Sequence, residues 1–372
     1  MELSGTVITP QGPVAGRLSF SERIEGLAAF AQRNTRLEPL SAKPEPERFI
    51  LPGFVDLHVH GGGGADAMEG EAAIRQLARF HAQHGTTTLL ATTVTAPVEE
   101  IEAALRGARA VIERPAVGEA QVAGVHLEGP FINPQKLGAQ PPYPLLPDLQ
   151  VMQRFCSLAP IRIVTLAAEL PGALELIRWL TGRGVRVQQG HTAATYAEAL
   201  SAFKAGAKGF THLFNAMPAL HHREPGVAGL GLERARYAEV IGDGLHVHPA
   251  VFRALLRTIP GVYVVSDAVA AAGMPEGEYR MGRHPVYRKG DGVYLADGGL
   301  AGSSLTLDRA LRNLVGWGLP LEEAARRVAT LPAEYLGLEG RGRIEPGAQA
   351  DLVVMNARLE VEEVYIRGER VR

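Results

Sequence analysis

The sequence contains very little cysteine, because Cys156 is the only one in 372 residues. A single cysteine cannot form an intrachain disulfide, and it cannot supply a thiolate-rich metal site within one chain. No uninterrupted apolar run approaches the ~18 residues of a membrane span, and the amino terminus lacks a basic segment followed by an apolar stretch. We therefore expect a cytoplasmic protein with no membrane partner.

The chain also lacks an excess of charge of either sign. It has 38 Lys and Arg residues against 40 Asp and Glu residues, which gives a formal net charge of −2, and it has no basic run interleaved with aromatic residues. This balance gives no electrostatic reason to expect a nucleic acid as a partner. The apolar content of 46% can build a substantial core and is typical of a large domain with a smaller one beside it.

What the sequence does contain is a regular alternation of strand-like and helix-like segments. The predicted strands are residues 54–60, 86–92, 121–128, 162–166, 185–190, 209–211, 238–241 and 262–265. Most of them are separated by segments with helical spacing of apolar residues, predicted as helices at 71–84, 98–113, 149–158, 172–180, 195–205 and 249–258. A long loop is predicted between the strands at 209–211 and 238–241, and predicted helices at 305–317 and 321–329 follow the last strand. Eight strands in about 220 residues indicate an α/β fold with a closed (β/α)8 TIM-type barrel rather than an open sheet.

The two chain ends show a different pattern, in which short alternating runs follow one another without helices. Thr6–Thr9 and Val361–Ile366 are examples. We therefore expect a small β-sandwich domain formed by residues 1–50 and 340–372, beside a catalytic barrel at 51–339. The segment Pro44-Glu45-Pro46 is predicted to link the two.

Polar residues lie at the carboxyl ends of five of the eight predicted strands. They are His58 and His60 after the first strand, Glu128 after the third, His191 after the fifth, His212 after the sixth and Asp267 after the eighth. The carboxyl ends of barrel strands form one face, where active sites lie. Any one of these residues alone is explained as a helix cap or an ordinary core residue. Four histidines and two carboxylates on one face together indicate a metal site.

Imidazole and carboxylate ligands without thiolates fit zinc, iron, manganese or a similar divalent ion, and these ligand types do not select one of them. Zinc is the first expectation, with iron, manganese and cobalt as alternatives. A bound metal would polarise a carbonyl and lower the pKa of its water towards about 7. Asp267 has no histidine neighbour in sequence, which suits a general base acting on that water. His126 is interpreted as a residue that supports Glu128 from outside the ligand set, and His81 as a surface residue of a helix.

Several motifs resemble those of a known family. The order His-x-His, Glu, His, His, Asp on successive strands resembles the amidohydrolase superfamily, and the local motifs are similar to those of the N-acetylglucosamine-6-phosphate deacetylases within it. The matching stretches are 52–61 (PGFVDLHVHG), 126–134 (HLEGPFINP), 190–192 (GHT), 211–217 (THLFNAM), 223–226 (REPG), 243–246 (DGLH) and 266–268 (SDA). Residues 347–353 resemble the usual carboxyl-terminal β segment of the superfamily.

The resemblance implies a metal-dependent hydrolase that removes acetate from N-acetyl-D-glucosamine 6-phosphate to give D-glucosamine 6-phosphate. By position, Glu128, His191 and His212 would hold the principal ion. His58 and His60 would support a second one, so that each subunit holds one or two ions with Glu128 bridging. The strand at 162–166 contains no lysine, so the carboxylated lysine of many dinuclear relatives is absent. Asp267 would take the proton of water and pass it to the leaving amine.

The resemblance also implies a substrate site assembled from several loops. The implied contacts are Asn215 and Ala216, Arg223 and His246 at the phosphate, and Leu300, Ala301 and Gly302 near the acetyl group. Arg223 would reach the active site of a neighbouring subunit, which implies a homodimer. Gln140 stands where the family usually has a substrate-contacting histidine; it can donate a neutral hydrogen bond but cannot carry a proton.

Two other functions stay open. The first is another amidohydrolase activity, on a different N-acyl amino sugar phosphate or a cyclic amide. The second is a non-catalytic barrel kept as an assembly module. A module is expected to have lost ligands, whereas none of the six polar strand-end residues is missing.

Overall fold

The computed structural model describes residues 1–30 and 48–372, so the predicted linker Pro44-Glu45-Pro46 lies outside the described residues. The strands are β1 (Glu2–Thr9), β2 (Gly12–Phe20), β3 (Ile24–Ala29), β4 (Phe49–Pro52), β5 (Phe54–Val59), β6 (Gly61–Gly62), β7 (Ala65–Asp66), β8 (Thr86–Thr92), β9 (Gln121–Glu128), β10 (Ile161–Leu166), β11 (Arg186–Gln189), β12 (Gly209–Phe210), β13 (Tyr237–Ile241), β14 (Gly261–Val265), β15 (Gly277–Met281), β16 (His284–Lys289), β17 (Gly292–Tyr294), β18 (Leu300–Ser303), β19 (Leu352–Met355), β20 (Val361–Ile366) and β21 (Glu369–Arg370).

The helices are α1 (Glu71–Gln83), α2 (Val98–Glu113), α3 (Leu149–Leu158), α4 (Ala173–Thr181), α5 (Tyr196–Ala205), α6 (Gly226–Arg234), α7 (Pro249–Thr258), α8 (Leu307–Gly316), α9 (Leu321–Ala325) and α10 (Leu331–Leu336). A π-helical turn, Arg326–Thr330, joins α9 to α10. Helix α2 illustrates why these segments are helical, because Ile101, Leu105 and Ala108 recur on one face and are buried. No helix among the described residues has the length and apolar character needed to cross a membrane.

Eight parallel strands form a barrel, as predicted. Six of them pair in the order β5-β8-β9-β10-β11-β12, and β13 pairs with β14. Backbone hydrogen bonds complete the ring: Leu213 N donates to Glu239 O (2.9 Å), and Asp267 N donates to His58 O (2.9 Å). Every residue of β5 and β8 is buried, since both faces of a parallel sheet are covered. The carboxyl ends of all eight strands therefore meet at one mouth.

The chain ends form one sheet of seven strands, in the order β21-β20-β19-β4-β1-β2-β3. Phe20 on β2 contacts Tyr365 on β20 with ring centroids 5.3 Å apart, although three strands separate them in the sheet. The sheet therefore folds over itself around a second core that includes Leu18, Ile50 and Leu352, which is the predicted sandwich. The division into domains at 1–50 with 340–372 and at 51–339 stays a prediction.

Three features differ from the sequence-based expectation. Helix α6 lies in a stretch predicted as a loop, because its three glycines lower helical propensity. The strands β15 to β18 form an unpredicted antiparallel sheet after the last barrel strand. His81, predicted at the surface, is fully buried, and its Nε2 lies 2.9 Å from the carbonyl oxygen of Gly61. The prediction for His81 is therefore wrong, because the buried face of α1 extends to its last turn.

Candidate metal centre

The six polar strand-end residues converge at the mouth of the barrel and are at least nine-tenths buried. They are His58, His60, Glu128, His191, His212 and Asp267. His191, His212 and Asp267 have positive φ angles of 48°, 30° and 51°. Left-handed backbone is uncommon for non-glycine residues and clusters at functional sites. Here it turns the chain where each strand ends.

The first subsite consists of Glu128, His191 and His212. Glu128 Oε1 lies 3.2 Å from His191 Nε2 and 3.1 Å from His212 Nε2. His191 Nδ1 faces the carbonyl oxygen of Lys136 at 2.9 Å. Because a carbonyl can only accept, Nδ1 carries the hydrogen of the neutral ring and Nε2 presents its lone pair. Because that lone pair faces the carboxylate oxygen of Glu128, a cation fits between the imidazole of His191 and the carboxylate.

The second subsite consists of His58, His60 and Asp267. The two Nε2 atoms lie 3.0 Å apart, and Asp267 Oδ1 lies 3.3 Å from that of His58 and 3.2 Å from that of His60. Glu128 Oε2 also faces this subsite, at 3.5 Å from His58 Nε2 and 3.2 Å from His60 Nε2. Glu128 therefore turns one oxygen to each subsite.

The electrostatics of the centre also fit a cation. Burial disfavours the charged form of His60, but Asp267 and Glu128 raise its pKa to about 9. Burial disfavours the charged form of Asp267 as well, yet His58 and His60 lower its pKa to about 2. Positive charge at the imidazoles thus stabilises the carboxylates. A divalent ion would supply that charge, and the imidazoles would bind it in their deprotonated form.

The predicted substrate residues are placed in two groups. Those that line the pocket beside the two subsites are Gln140, Asn215, Ala216, His246, Leu300 and Gly302. Ala301 is fully buried in a small apolar cluster with Val269 and Met281 instead. Arg223 lies on an exposed loop, and its guanidinium Nη1 is 2.8 Å from His222 Nε2. The single chain therefore does not bring Arg223 to its own pocket.

Comparison with known proteins identifies the family of this chain. The model of the amidohydrolase family matches residues 49–371. The chain belongs to the amidohydrolase family. It is 40% identical over 340 residues to the N-acetylgalactosamine-6-phosphate deacetylase of Escherichia coli O157:H7, covering 89% of this chain and 90% of that protein. It is 38% identical to the N-acetylglucosamine-6-phosphate deacetylase of Vibrio furnissii, covering 87% of this chain and 82% of that protein.

Solved structures of this amidohydrolase group have the same fold. The N-acetyl-D-glucosamine-6-phosphate deacetylase of Mycobacterium smegmatis superposes with a TM-score of 0.90 at 34% identity, with 100% of both chains covered. The corresponding enzyme of Thermotoga maritima gives 0.89 at 31% identity, with 100% of this chain and 99% of that chain covered. A mutant of the Mycobacterium smegmatis enzyme is known in complex with N-acetyl-D-glucosamine-6-phosphate.

Within this amidohydrolase site, Gln140 contacts a predicted metal ligand. Its Nε2 donates to Glu128 Oε2 at 2.5 Å, and its Oε1 accepts from the backbone N–H of Thr95 at 2.6 Å. The N–H of Thr95 fixes which end of the amide faces Glu128, because only the oxygen can accept it. Gln140 thereby orients the carboxylate that both subsites share.

His246 is held by an acid of its own loop. Its Nδ1 donates to Asp243 Oδ2 at 2.6 Å, and Asp243 Oδ1 accepts the backbone N–H of His246 at 2.9 Å. Burial opposes the charged form of His246, but Asp243 raises the pKa of its imidazole. A ring held in this way favours an anionic group at its free nitrogen.

Glu239 is a fully buried acid on β13 that contacts both subsites, and it was not predicted as a site residue. The available signal was an acid in the middle of an otherwise apolar or aromatic strand, Tyr237–Ile241.

His126 is also fully buried; its Nδ1 lies 3.0 Å from Leu57 O and its Nε2 2.7 Å from Thr165 Oγ1. Its ring packs against that of His58, with centroids 4.6 Å apart.

Proposed function

We propose that this protein hydrolyses N-acetyl-D-glucosamine 6-phosphate to D-glucosamine 6-phosphate and acetate. The observation that carries the proposal is the position of Glu128, whose two oxygens face separate groups of imidazoles at a pocket that also contains Asp267. The names of the relatives support the substrate, since several of the similar proteins are N-acetylglucosamine-6-phosphate deacetylases. A non-catalytic module has no need of a complete ligand set.

The residues divide the reaction between them. Glu128, His191 and His212 would hold the principal ion, and His58 and His60 the second, with zinc as the proposed metal. A bound divalent ion polarises the amide carbonyl and lowers the pKa of water. The oxygen of water bonds to the carbonyl carbon, and Asp267 accepts the proton that the water loses. Asp267 then donates that proton to the amine nitrogen as the carbon–nitrogen bond breaks and acetate leaves.

The phosphate would be held at the outer end of the pocket. The Asp243–His246 pair supports this assignment, because Asp243 favours the positively charged form of the His246 imidazole, which would attract a phosphate. Arg223 would reach the pocket from a second copy of the chain in a homodimer, and its exposed position outside its own pocket is compatible with that role. Arginine suits a phosphate because its planar fork forms paired charge-assisted hydrogen bonds. We place the enzyme in the cytoplasm.

The proposed substrate is tested by comparing kcat/KM for three acetylated sugars on zinc-loaded protein. We expect N-acetylglucosamine 6-phosphate to exceed unphosphorylated N-acetylglucosamine by at least about 10-fold, since a charge-assisted hydrogen bond contributes roughly 1.5–3 kcal/mol. N-acetylgalactosamine 6-phosphate is the third sugar, because the relative from Escherichia coli O157:H7 bears that name. Chelation should abolish acetate release, and added zinc should restore it. Equal rates with and without phosphate would contradict the phosphate site.

The variant Arg223→Gln tests the proposed contribution of the second subunit. We expect KM for the phosphorylated substrate to rise by about 10- to 100-fold with a smaller change in kcat, because the lost contact is equally strong in the ground and transition states. Arg253→Gln, an exposed arginine on α7, is the matched control. Mixing Arg223→Gln with Asp267→Asn subunits should restore partial activity if Arg223 acts across the dimer. No recovery, with mixed dimers shown to form, would place Arg223 outside the neighbouring site.

A further inference from the structure

Glu239 connects the two subsites through one carboxylate oxygen. Its Oε1 lies 2.7 Å from His58 Nδ1 in the second subsite and accepts the backbone N–H of His212 of the first subsite at 3.1 Å. Its Oε2 lies 3.4 Å from the Tyr263 hydroxyl. The side chain is fully buried, and among residues 1–30 and 48–372 its ion-pair partner is His58 alone. No Lys or Arg of the described chain therefore neutralises it.

The contact with His58 fixes which nitrogen is free to bind metal. An ionised carboxylate can only accept, so His58 Nδ1 must carry the hydrogen that Glu239 receives. The lone pair of the neutral ring then lies on Nε2, which faces Glu128 and Asp267 in the second subsite. A carboxylate behind a ligating histidine is a common device for holding the ring and its tautomer.

The charge of Glu239 bears on how many ions the centre holds. Glu128, Asp267 and Glu239 together place three negative charges inside the barrel mouth, each at most 6% exposed. One divalent ion with neutral imidazoles would leave a net charge of −1 on these groups and two would leave +1, so the sum alone favours neither number. The position of Glu239 does favour the second subsite, because its negative charge lies beside His58 and attracts a cation there.

We propose that Glu239 is a positioning residue that makes the second subsite bind a metal ion, by orienting His58 and by adding the negative charge that the second ion balances. This inference rests on the proposed metal-dependent function. It also assigns different consequences to the two subsites, because only a side chain of the second subsite depends on Glu239, whereas the first subsite contacts it through backbone.

The test is a zinc titration of metal-free wild-type, Glu239→Gln and Tyr263→Phe proteins, with bound zinc counted by elemental analysis. We expect the wild type to hold two ions and Glu239→Gln to bind the second at least about 10-fold more weakly with the first unchanged, as outer contacts of this kind contribute 10- to 100-fold. Tyr263→Phe removes the hydroxyl on Oε2 but keeps the carboxylate, so it should retain two ions. Cobalt-loaded Glu239→Gln should lose the absorption that the second equivalent adds in the wild type.

Each other outcome has a distinct meaning. Equal second-ion affinity in the wild type and Glu239→Gln overturns the role of Glu239. One ion in an active wild type overturns it as well but leaves the hydrolase proposal standing, whereas a wild type that binds no metal overturns both. If Glu239→Gln does not fold, nitrogen NMR of labelled histidine in zinc-loaded wild type decides the question: hydrogen on Nδ1 of His58 supports the role, and hydrogen on Nε2 refutes it.

Discussion

Asp267→Asn is expected to lower kcat by at least about 10³-fold while the protein keeps its metal, because the amide cannot accept the proton that water loses. The substitution preserves the shape of a residue that is 6% exposed and keeps an oxygen where Oδ1 lies, 3.2 Å from His60 Nε2. Acetate release and the bound metal should be measured on the same preparation. The metal count matters as much as the rate, since Asp267 lies close enough to the second subsite to act as a ligand.

Asp308→Asn provides the control for this experiment. Asp308 is equally buried, at 6% exposed, but it contacts Arg312 and His84 rather than the residues of the pocket. The same isosteric change there should leave kcat near that of the wild type in folded protein. Near-normal activity of Asp267→Asn would refute its role as the base. Loss of metal together with activity would show that Asp267 holds the ion instead.

The barrel could be predicted from the sequence because its strands are short, buried and separated by helices of regular apolar spacing. Residues 86–92 and 121–128 were predicted with the bounds that the structure has, as were helices α2, α3 and α7. Parallel strands joined by helices allow few topologies, so the count of eight led to the closed barrel and brought the polar strand ends to one mouth.

The parts that could not be predicted depend on tertiary contacts. Helix α6 forms despite its glycines because they permit close packing; a Cβ added to Gly231 would lie 3.2 Å from Leu213 Cδ1. The partner of Gln140 follows from the backbone N–H of Thr95, which is 45 residues away in sequence. Glu239 is adjacent in sequence to none of the motif residues, and its importance appears only when β13 is placed beside the metal ligands.

Glu128→Gln is expected to remove both metal ions and to lower kcat/KM by at least about 10³-fold, since the metal supplies several kcal/mol of transition-state stabilisation and each 1.4 kcal/mol is tenfold. Both carboxylate oxygens are used, Oε1 in the first subsite and Oε2 in the second. An amide turns an NH2 group, which can only donate, towards one subsite, and its remaining oxygen has no negative charge with which to hold an ion in the other. Elemental analysis and acetate release measure the two effects.

The matched control is Glu119→Gln, which makes the same change at a buried acid paired with Arg75 and Arg79, outside the pocket. It should retain two ions even if the free energy of unfolding falls. Two ions retained by Glu128→Gln would contradict the bridging position. Together, Glu128→Gln and Glu239→Gln distinguish the roles of two carboxylates. Loss of the carboxylate that both subsites share should remove both ions. Loss of the carboxylate whose side-chain partner lies in one subsite should remove only the ion of that subsite.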